Sequence, residues 1–268
     1  MPARPNDAAA FHDLHRDLLI LPNAWDAASA KVVELAGAKA IATSSAAVAW
    51  ALGHADGHHL PVEKLLRTVE TIARVTALPV TADAEGGYSD DPAKVAENVT
   101  ALINAGAVGI NLEDGTGAHE LHLKKIEAAR NAGERAGVKL FINARTDVYL
   151  KQLAPAEQAV AETLKRARGI REAGASGYFV PFILKPDDIR AVTAEAGLPV
   201  NVMAWTGLPK LAELKALGVK RLSAATSIFG AAMEAVRTAT VEFLELGDSD
   251  ALRGRTGKPP NWNAVFGG

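Results

Sequence analysis

Short apolar runs alternate with longer, mixed polar and apolar stretches along nearly the whole chain of 268 residues. The short runs are continuously apolar, which is typical of strands in a parallel sheet that is covered by helices. Eight strands are predicted, at Leu18–Pro22, Ala40–Ser44, Pro79–Asp83, Gly109–Glu113, Leu140–Arg145, Gly177–Pro181, Pro199–Ala204 and Arg221–Ala225.

The stretches between these runs are rich in Ala, Leu, Glu, Lys and Arg and are long enough for crossover helices. Several close on a glycine just before the next strand, as at Gly106 and Gly218, which is typical of a helix-to-strand turn in a barrel. The pattern therefore predicts one (β/α)₈ TIM barrel over residues 1–268. An open doubly wound sheet is the alternative, although no Gly-x-Gly-x-x-Gly follows the first strand. The clearest helical segments are Asp26–Ala36, Pro61–Thr76, Pro92–Ala105 and Ala156–Ala173.

The last residues, 247–268, have a different composition and follow a helical stretch from Ser227 to Leu246. They contain Gly, Pro and Asn, together with the large apolar side chains of Trp262 and Phe266. Two interpretations stay open: a tail that packs on its own barrel, or an arm that docks on a neighbouring subunit.

Composition narrows the class of function. A net charge of −2 and a pI of about 6.4 give no electrostatic basis for binding nucleic acid or an anionic membrane. The absence of Cys excludes disulfides, thiolate metal sites and a cysteine nucleophile. No apolar run reaches the roughly 18 residues that span a bilayer, and the first residues lack the apolar segment of a signal peptide. We expect a cytoplasmic protein.

Acidic side chains follow the third and fourth predicted strands. Asp83 ends the third strand and Glu85 stands two residues later, so both carboxylates can point to the same side. At the end of the fourth strand, Glu113 and Asp114 are adjacent and therefore point to opposite sides.

The fifth strand places Asn143, Arg145 and Asp147 on a common face. Barrel enzymes carry their reactive groups at the C-terminal ends of the strands. We therefore expect four side chains from three neighbouring strands to converge there, namely Asp83, Glu85, Glu113 and Arg145.

Several carboxylates crowded together repel one another, which raises their pKa values. A hard divalent cation removes that conflict, and an all-oxygen ligand set favours Mg²⁺, or Mn²⁺, over zinc. Arg145 adds a planar fork that suits a substrate carboxylate or a developing oxyanion. The alternative is a network of salt bridges across the barrel mouth.

Two other segments could contribute to a site. The small residues Ser45, Ala46 and Ala47 follow the second strand and could expose backbone N–H groups to an anion, although a serine helix cap explains them equally well. The segment from Gly53 to His59 contains three histidines and is predicted to be a solvent-exposed loop over the barrel mouth, with a transition-metal site as the alternative.

His119 and His122 follow the fourth strand. The sequence predicts that they lie on the surface of a helix, and the alternative is an acid–base role at the barrel mouth.

The strand-end motifs together resemble the isocitrate lyase and phosphoenolpyruvate mutase superfamily. The resemblance covers roughly Leu18 to Glu245 and keeps the order of the family motifs. The motifs are Thr43-Ser44-Ser45-Ala46-Ala47, Asp56, Asp83-Ala84-Glu85-Gly86-Gly87-Tyr88, Asn111-Leu112-Glu113-Asp114 and Asn143-Ala144-Arg145-Thr146-Asp147.

The resemblance implies a barrel in which the carboxylate of a small 2-oxo acid chelates Mg²⁺. It implies that Asp83 binds the metal directly, and that Asp56, Glu85 and Glu113 act largely through bound water. It further implies that Ser45, Ala46 and Ala47 form a cradle for the substrate's anionic groups, with Arg145 as its cationic companion. A terminal helix exchanged between subunits, in a homodimer or homotetramer, is implied as well.

Three departures from the family pattern bear on the reaction. The Lys-Lys-Cys-Gly gating loop of the carbon–carbon lyases is missing, and Gly115-Thr116-Gly117-Ala118 leads straight into a helical stretch. Glu85 replaces the more usual Asp. The sixth strand ends in Pro181-Phe182, where relatives often carry Glu or His. The proton donor is therefore not identified.

The favoured interpretation is a Mg²⁺-dependent lyase or decarboxylase that cleaves a C–C bond in a small 2-oxo or 2-hydroxy acid through a pyruvate-like enolate. Arg145 and Glu113 are the expected catalytic residues. Phosphonate P–C chemistry by a mutase or hydrolase is the nearest alternative. A non-catalytic binder of 2-oxo acids is a second alternative, and a barrel without a ligand site is a third.

Overall fold

A computed structural model describes Ala3 and residues 5–267. These residues form two compact units, one up to Ala225 and the other from Thr226 onward. Among the described residues, no helix combines the length and the apolar character needed to cross a membrane.

The first unit is a parallel barrel. Its sheet follows the order β1-β9-β8-β7-β6-β5-β4-β3-β2. Only Pro22 separates β1 from β2, so the first predicted strand is present but interrupted, and the chain itself closes the barrel. The strands are β1 (Leu19–Leu21), β2 (Asn23–Ala24), β3 (Ile41–Thr43), β4 (Val80–Asp83), β5 (Ala107–Glu113), β6 (Phe141–Arg145), β7 (Gly177–Phe179), β8 (Val200–Met203) and β9 (Arg221–Ser223).

Helices connect successive strands, which confirms the predicted (β/α)₈ barrel and rules out the open sheet. The four clearest helical segments of the sequence form helices within one or two residues of the predicted ends, apart from a 3₁₀ turn at Ala156–Gln158. The helices of this unit are α1 (Pro5–Leu14), α2 (Ala27–Leu35), α3 (Ser45–Ala51), α4 (Val62–Val75), α5 (Pro92–Ala105), α6 (His119–Arg135), α7 (Ala159–Glu172), α8 (Pro186–Glu195) and α9 (Leu211–Ala216).

Local side-chain chemistry explains where several helices begin and end. Asp26 caps α2 by accepting the Ser29 N–H at 2.7 Å, while the Ser29 hydroxyl accepts the Asp26 N–H at 3.0 Å. Asp91 caps α5, and Pro92 occupies the first helical turn, where its missing N–H costs nothing. The helix ends at Gly106, whose φ of 111° is accessible to glycine without a steric penalty.

Helix α1 closes the N-terminal end of the barrel. Phe11 is fully buried, and its ring meets the Phe141 ring edge-on at 5.3 Å. The His15 ring stacks on Phe141 at 4.0 Å, and burial lowers the pKa of His15 to about 3. This helix was not predicted from the sequence.

The second unit consists of α10 (Ser227–Leu246), α11 (Ser249–Gly254) and α12 (Trp262–Phe266). The predicted helix from Ser227 to Leu246 is confirmed, whereas the two short helices were not predicted. The Trp262 and Phe266 rings stack at 5.6 Å. This unit begins at Thr226 rather than at residue 247, where the sequence analysis placed the start of the tail.

Replacement of Phe11 by alanine should lower the free energy of unfolding by about 3–5 kcal/mol, because it leaves a cavity against Phe141. The matched control is Leu35→Ala on α2, where the side chain is 60% exposed and a change within about 0.5 kcal/mol is expected. Urea denaturation followed by circular dichroism measures both. Equal losses in the two variants would contradict the role of Phe11 as a core residue.

Candidate active site

The register of the parallel strands brings the predicted polar residues to one end of the barrel. Asp83 on β4 lies beside Asn111 on β5, and Glu113 on β5 lies beside Arg145 on β6. Three neighbouring strands therefore end in charged side chains at the barrel mouth.

The Asp83 carboxylate is held on one side and has no protein partner on the other. Its backbone N–H donates to the Thr43 hydroxyl at 2.8 Å, and its Oδ2 accepts the Ser45 N–H at 3.1 Å. Its Oδ1 is buried and has no hydrogen-bond partner among the described residues. A buried anionic oxygen without a donor is costly and points to a missing ligand.

Glu85 sits next to Asp83 in a left-handed backbone conformation, with a φ of 48°. Its side chain is 3% exposed; Oε2 accepts the His58 N–H at 2.5 Å and Oε1 accepts the Tyr88 hydroxyl at 3.0 Å. Burial raises the pKa of Glu85 and the nearby Asp83 carboxylate raises it further, while His58 opposes the shift. Protein donors therefore hold both oxygens of this carboxylate.

Glu113, Arg145 and Asp147 form a chain of ion pairs. Arg145 Nη1 lies 2.6 Å from Glu113 Oε2, and its Nε and Nη2 donate to the two Asp147 oxygens at 2.7 and 3.1 Å. Burial raises the pKa of Glu113 to about 8 despite the opposing effect of Arg145, and Asp83, Asp147 and Glu85 add to the increase. Burial lowers the pKa of Arg145, but the carboxylates of Glu113, Asp147 and Asp83 outweigh that effect and raise it.

The segment from Ser45 to Ala47 forms the buried first turn of α3. The Ser45 N–H donates to Asp83, and the Ala47 N–H donates to the Ser44 hydroxyl at 3.4 Å. The serine cap is therefore present, and protein acceptors already take the N–H groups of Ser45 and Ala47; among the described residues no acceptor is recorded for the Ala46 N–H.

The loop that follows α3 contributes less than the sequence suggested. Asp56 is exposed, and among the described residues no contact is recorded between its carboxylate and those of Asp83, Glu85 or Glu113. Burial raises the pKa of Tyr88, and the charges of Glu85, Asp83 and Asp56 raise it further. His54 contacts Lys64 Nζ at 2.7 Å, and His58 Nε2 accepts the Gly86 N–H at 2.9 Å. The His54 and His58 rings therefore contact different protein groups.

Asp114 faces away from Glu113, as the alternation along the strand predicted. Its Oδ2 accepts the Thr146 hydroxyl and Arg166 Nη1, both at 2.7 Å, and its Oδ1 accepts the Asp147 N–H at 2.8 Å. His122 is buried rather than on the helix surface, so that prediction is wrong; burial lowers its pKa to about 4. The sequence did not mark Arg166, and it did not show that His122 is buried, because both depend on how α6 and α7 pack.

A buried arginine lies beneath the mouth. Arg221 on β9 is 1% exposed, and its Nη2 donates to Asn111 Oδ1 at 3.3 Å. Burial lowers the pKa of Arg221 to about 9, and the Asp83 carboxylate opposes that shift. The sequence analysis missed this residue because it opens the last strand rather than ending one.

A polar cavity of about 370 Å³ opens beside these groups. Its lining comes from the loops that follow four consecutive strands of the barrel, and it includes His58, Gly86, Glu113, Asp114 and Lys151. The short segment from Gly115 to Ala118 forms part of the wall, where the carbon–carbon lyases are expected to carry a longer gating loop.

Comparison with known proteins agrees with this geometry. The family model described as phosphoenolpyruvate phosphomutase matches residues 11–244. An uncharacterized protein of Mycobacterium tuberculosis is 36% identical over 234 residues, which is 84% of this chain and 85% of that protein.

Solved structures agree as well. A Burkholderia cenocepacia protein that was solved as a candidate phosphonomutase is 45% identical, with a TM-score of 0.84 over 88% of this chain and 99% of the other. A 2,3-dimethylmalate lyase, itself a member of the phosphoenolpyruvate mutase and isocitrate lyase superfamily, is 25% identical, with a TM-score of 0.83 over 97% of this chain and 94% of the other. The resemblance inferred from the strand-end motifs is confirmed. The chain belongs to the phosphoenolpyruvate phosphomutase family, within the isocitrate lyase and phosphoenolpyruvate mutase superfamily of enzymes.

Proposed function

We propose that this enzyme is a Mg²⁺-dependent lyase or decarboxylase that cleaves a C–C bond in a small 2-oxo or 2-hydroxy acid through a pyruvate-like enolate. One observation carries the proposal. The buried Oδ1 of Asp83 has no hydrogen-bond partner among the described residues, and it belongs to a carboxylate that also raises the pKa values of Glu85 and Glu113.

The donor set fits a hard divalent cation. Asp83 would hold Mg²⁺ directly, since one of its oxygens is free and the Ser45 N–H fixes the other. Glu85 and Glu113 would act through bound water, because protein groups already contact both oxygens of Glu85 and the Oε2 atom of Glu113. Asp56 would join only through water or a movement of its exposed loop. When bound, Mg²⁺ or Mn²⁺ supplies Lewis-acid polarisation of the substrate carbonyl.

The chain's own residues bind and orient the acid. Asp147 accepts from Nε and Nη2 of Arg145 and Glu113 contacts Nη1, so a substrate carboxylate would meet the second N–H of Nη1 and of Nη2. Arg145 is held from both sides by Glu113 and Asp147, so its charge is fixed before the substrate arrives. The Ala46 N–H at the start of α3 offers one further donor to an anionic group of the substrate.

Glu113 is the proposed proton-transfer group. In the metal-free enzyme a pKa of about 8 leaves Glu113 largely protonated near neutral pH. Once a cation is bound at Asp83, the ionised carboxylate would accept a proton from the substrate and give it back later in the reaction. Its location between Asp83 and Arg145 puts that proton next to the bound acid. The chain contains no cysteine, so a carboxyl group rather than a thiol would transfer the proton.

Phosphonate chemistry is a second candidate. The name of the matching family model and the candidate phosphonomutase at 45% identity favour it. A non-catalytic binder of 2-oxo acids would use the same residues. NMR of a panel that includes oxaloacetate, phosphonopyruvate and 2-methylisocitrate, with added Mg²⁺, tests all three. Consumption of a carbon acid supports the lyase, consumption of phosphonopyruvate supports P–C chemistry, and line broadening without turnover supports the binder.

Assembly as a homodimer or homotetramer is proposed as well. Helix α10 has no buried side chain in the described structure, and large apolar groups along it stand in solvent. Exposed apolar surface on this scale is typical of an interface. The exposed residues are Met233, Val236, Val241, Phe243, Leu244 and Leu246, followed by Phe266 on α12.

Replacement of Asp83 by alanine should abolish Mg²⁺ binding, because the only direct ligand is lost. The matched control is Asp17→Ala, a carboxylate 87% exposed before β1 at the opposite end of the barrel, which should bind Mg²⁺ like the parent. Isothermal calorimetry measures both. Unchanged Mg²⁺ affinity in a folded Asp83→Ala variant would contradict the metal assignment.

Arg145→Lys should lower kcat/KM on the best substrate of the panel roughly 30- to 150-fold, which corresponds to about 2–3 kcal/mol of transition-state stabilisation. The reason is that an ammonium group cannot contact Glu113, Asp147 and the substrate together. Arg67→Lys on α4, where the side chain is 84% exposed, is the control and should leave kcat/KM unchanged. Activity of Arg145→Lys within about twofold of the parent would show that Arg145 is structural.

Deletion of residues 251–268 should weaken the oligomer, because it removes Trp262 and Phe266, each worth about 2 kcal/mol when buried. Light scattering at micromolar concentration compares the full chain with the deletion. A monomeric full-length protein would contradict the proposed assembly. An unchanged oligomer after deletion would show that these residues take no part in it.

A further inference from the structure

Two histidines and one aspartate meet outside the Asp83 cluster, where β5 ends and α6 begins. His119 and His122 stand three residues apart on α6, so their rings lie on the same face of the helix. Asp114 follows β5 directly. The potential ligand atoms of these three residues all lie within 4.8 Å of one another.

The hydrogen bonding of His122 determines which ring nitrogen is free. Its Nε2 lies 3.0 Å from the Leu112 carbonyl oxygen, and a carbonyl oxygen can only accept, so Nε2 carries the hydrogen. The Nδ1 atom of the neutral ring then holds a lone pair. This atom is buried and has no partner among the described residues, and the ring as a whole is 2% exposed.

His119 repeats this feature. Its Nδ1 is also buried and has no hydrogen-bond partner among the described residues. Each ring therefore has a buried nitrogen without a partner among the described residues, and ligand atoms of both rings and of Asp114 lie close together. With the hydrogen of His119 on Nε2, the three residues form a set of electron-pair donors. Burying such atoms without a partner costs free energy, so the arrangement favours a ligand that accepts electron pairs.

We propose that Asp114, His119 and His122 form a second cation site, selective for Zn²⁺ or a similar transition metal rather than Mg²⁺. Two imidazoles with one carboxylate suit a borderline metal, whereas Mg²⁺ prefers oxygen ligands throughout. The hydrogen bond from His122 to the Leu112 carbonyl is the outer contact that metal-binding histidines commonly make. Ligand atoms around a tetrahedral Zn²⁺ lie roughly 3.4 Å apart, so the three groups, whose ligand atoms lie within 4.8 Å of one another, need to close by up to about 1.4 Å.

Arg166 competes with the proposed metal. Its Nη1 contacts Asp114 Oδ2 at 2.7 Å and balances that carboxylate, while its Nε contacts Glu162 Oε1 at 2.8 Å. A metal ion would replace the guanidinium at Asp114, and Arg166 would keep its pairing with Glu162 on the same helix. Removal of the arginine charge should therefore strengthen metal binding.

Calorimetry of the full chain with Zn²⁺, in the presence of millimolar Mg²⁺, tests the site. The parent should bind one Zn²⁺ per chain, and His119→Ala and His122→Ala should each lower the affinity by at least about tenfold. His59→Ala, which removes an exposed loop histidine, is the matched control and should bind like the parent. Arg166→Gln should bind Zn²⁺ more tightly.

Melting temperatures without metal show whether the variants fold. If His122→Ala does not fold, His119→Ala decides, because its half-buried ring lies in the first turn of α6, where alanine is well tolerated. Absence of Zn²⁺ binding by the parent would overturn the proposal and would leave water as the partner of the two nitrogens. Unchanged affinity in a folded His119→Ala variant would overturn it too, and unchanged affinity in Arg166→Gln would overturn the exchange with the arginine.

Discussion

Repulsion between carboxylates at the mouth of a parallel barrel is the constraint on which the candidate site depends. The C-terminal ends of all strands meet at one mouth, so the acidic residues that end β4 and β5 have no room to separate. Burial is the larger cost of their charge and raises the pKa of Glu113 to about 8, and repulsion from Asp83, Asp147 and Glu85 adds to that rise. Arg145 at the mouth and Arg221 beneath it offset part of the negative charge, yet one Asp83 oxygen still has no partner among the described residues.

The rest of the site consists of groups that hold these carboxylates in place. The Ser45 N–H fixes Asp83, the His58 N–H and the Tyr88 hydroxyl fix Glu85, and Arg145 fixes Glu113. Each donor comes from a different loop or strand end, so the geometry depends on the whole catalytic face rather than on one motif. Charged groups that are already held in place can stabilise a cation or a developing oxyanion without further rearrangement of the site.

The sequence predicted the barrel and the convergence of charged strand ends because both follow from local periodicity. Alternation along a strand assigns Glu113 and Asp114 to opposite sides, and the structure agrees. The partners of those residues could not be predicted. Arg166 reaches Asp114 from α7, 52 residues away, and Arg221 reaches Asn111 across 110 residues. Helix α1 was missed for a similar reason, because the burial of Ala8 and Phe11 depends on how the helix packs against β5 and β6. The prediction for Asp56 relied on its place in the predicted loop over the barrel mouth and on the family resemblance, and its carboxylate is exposed.

The number of protons released when Mg²⁺ binds tests the central claim most directly. In the metal-free protein, Glu113 has a pKa of about 8 and is therefore largely protonated at neutral pH. A cation at Asp83 favours the charged carboxylate, so the proton should leave on binding. Calorimetry in two buffers with different ionisation enthalpies measures this number. The account predicts the release of close to one proton at about pH 7, falling toward zero well above pH 8 as Glu113 ionises by itself. Mg²⁺ binding at neutral pH without proton release would contradict it.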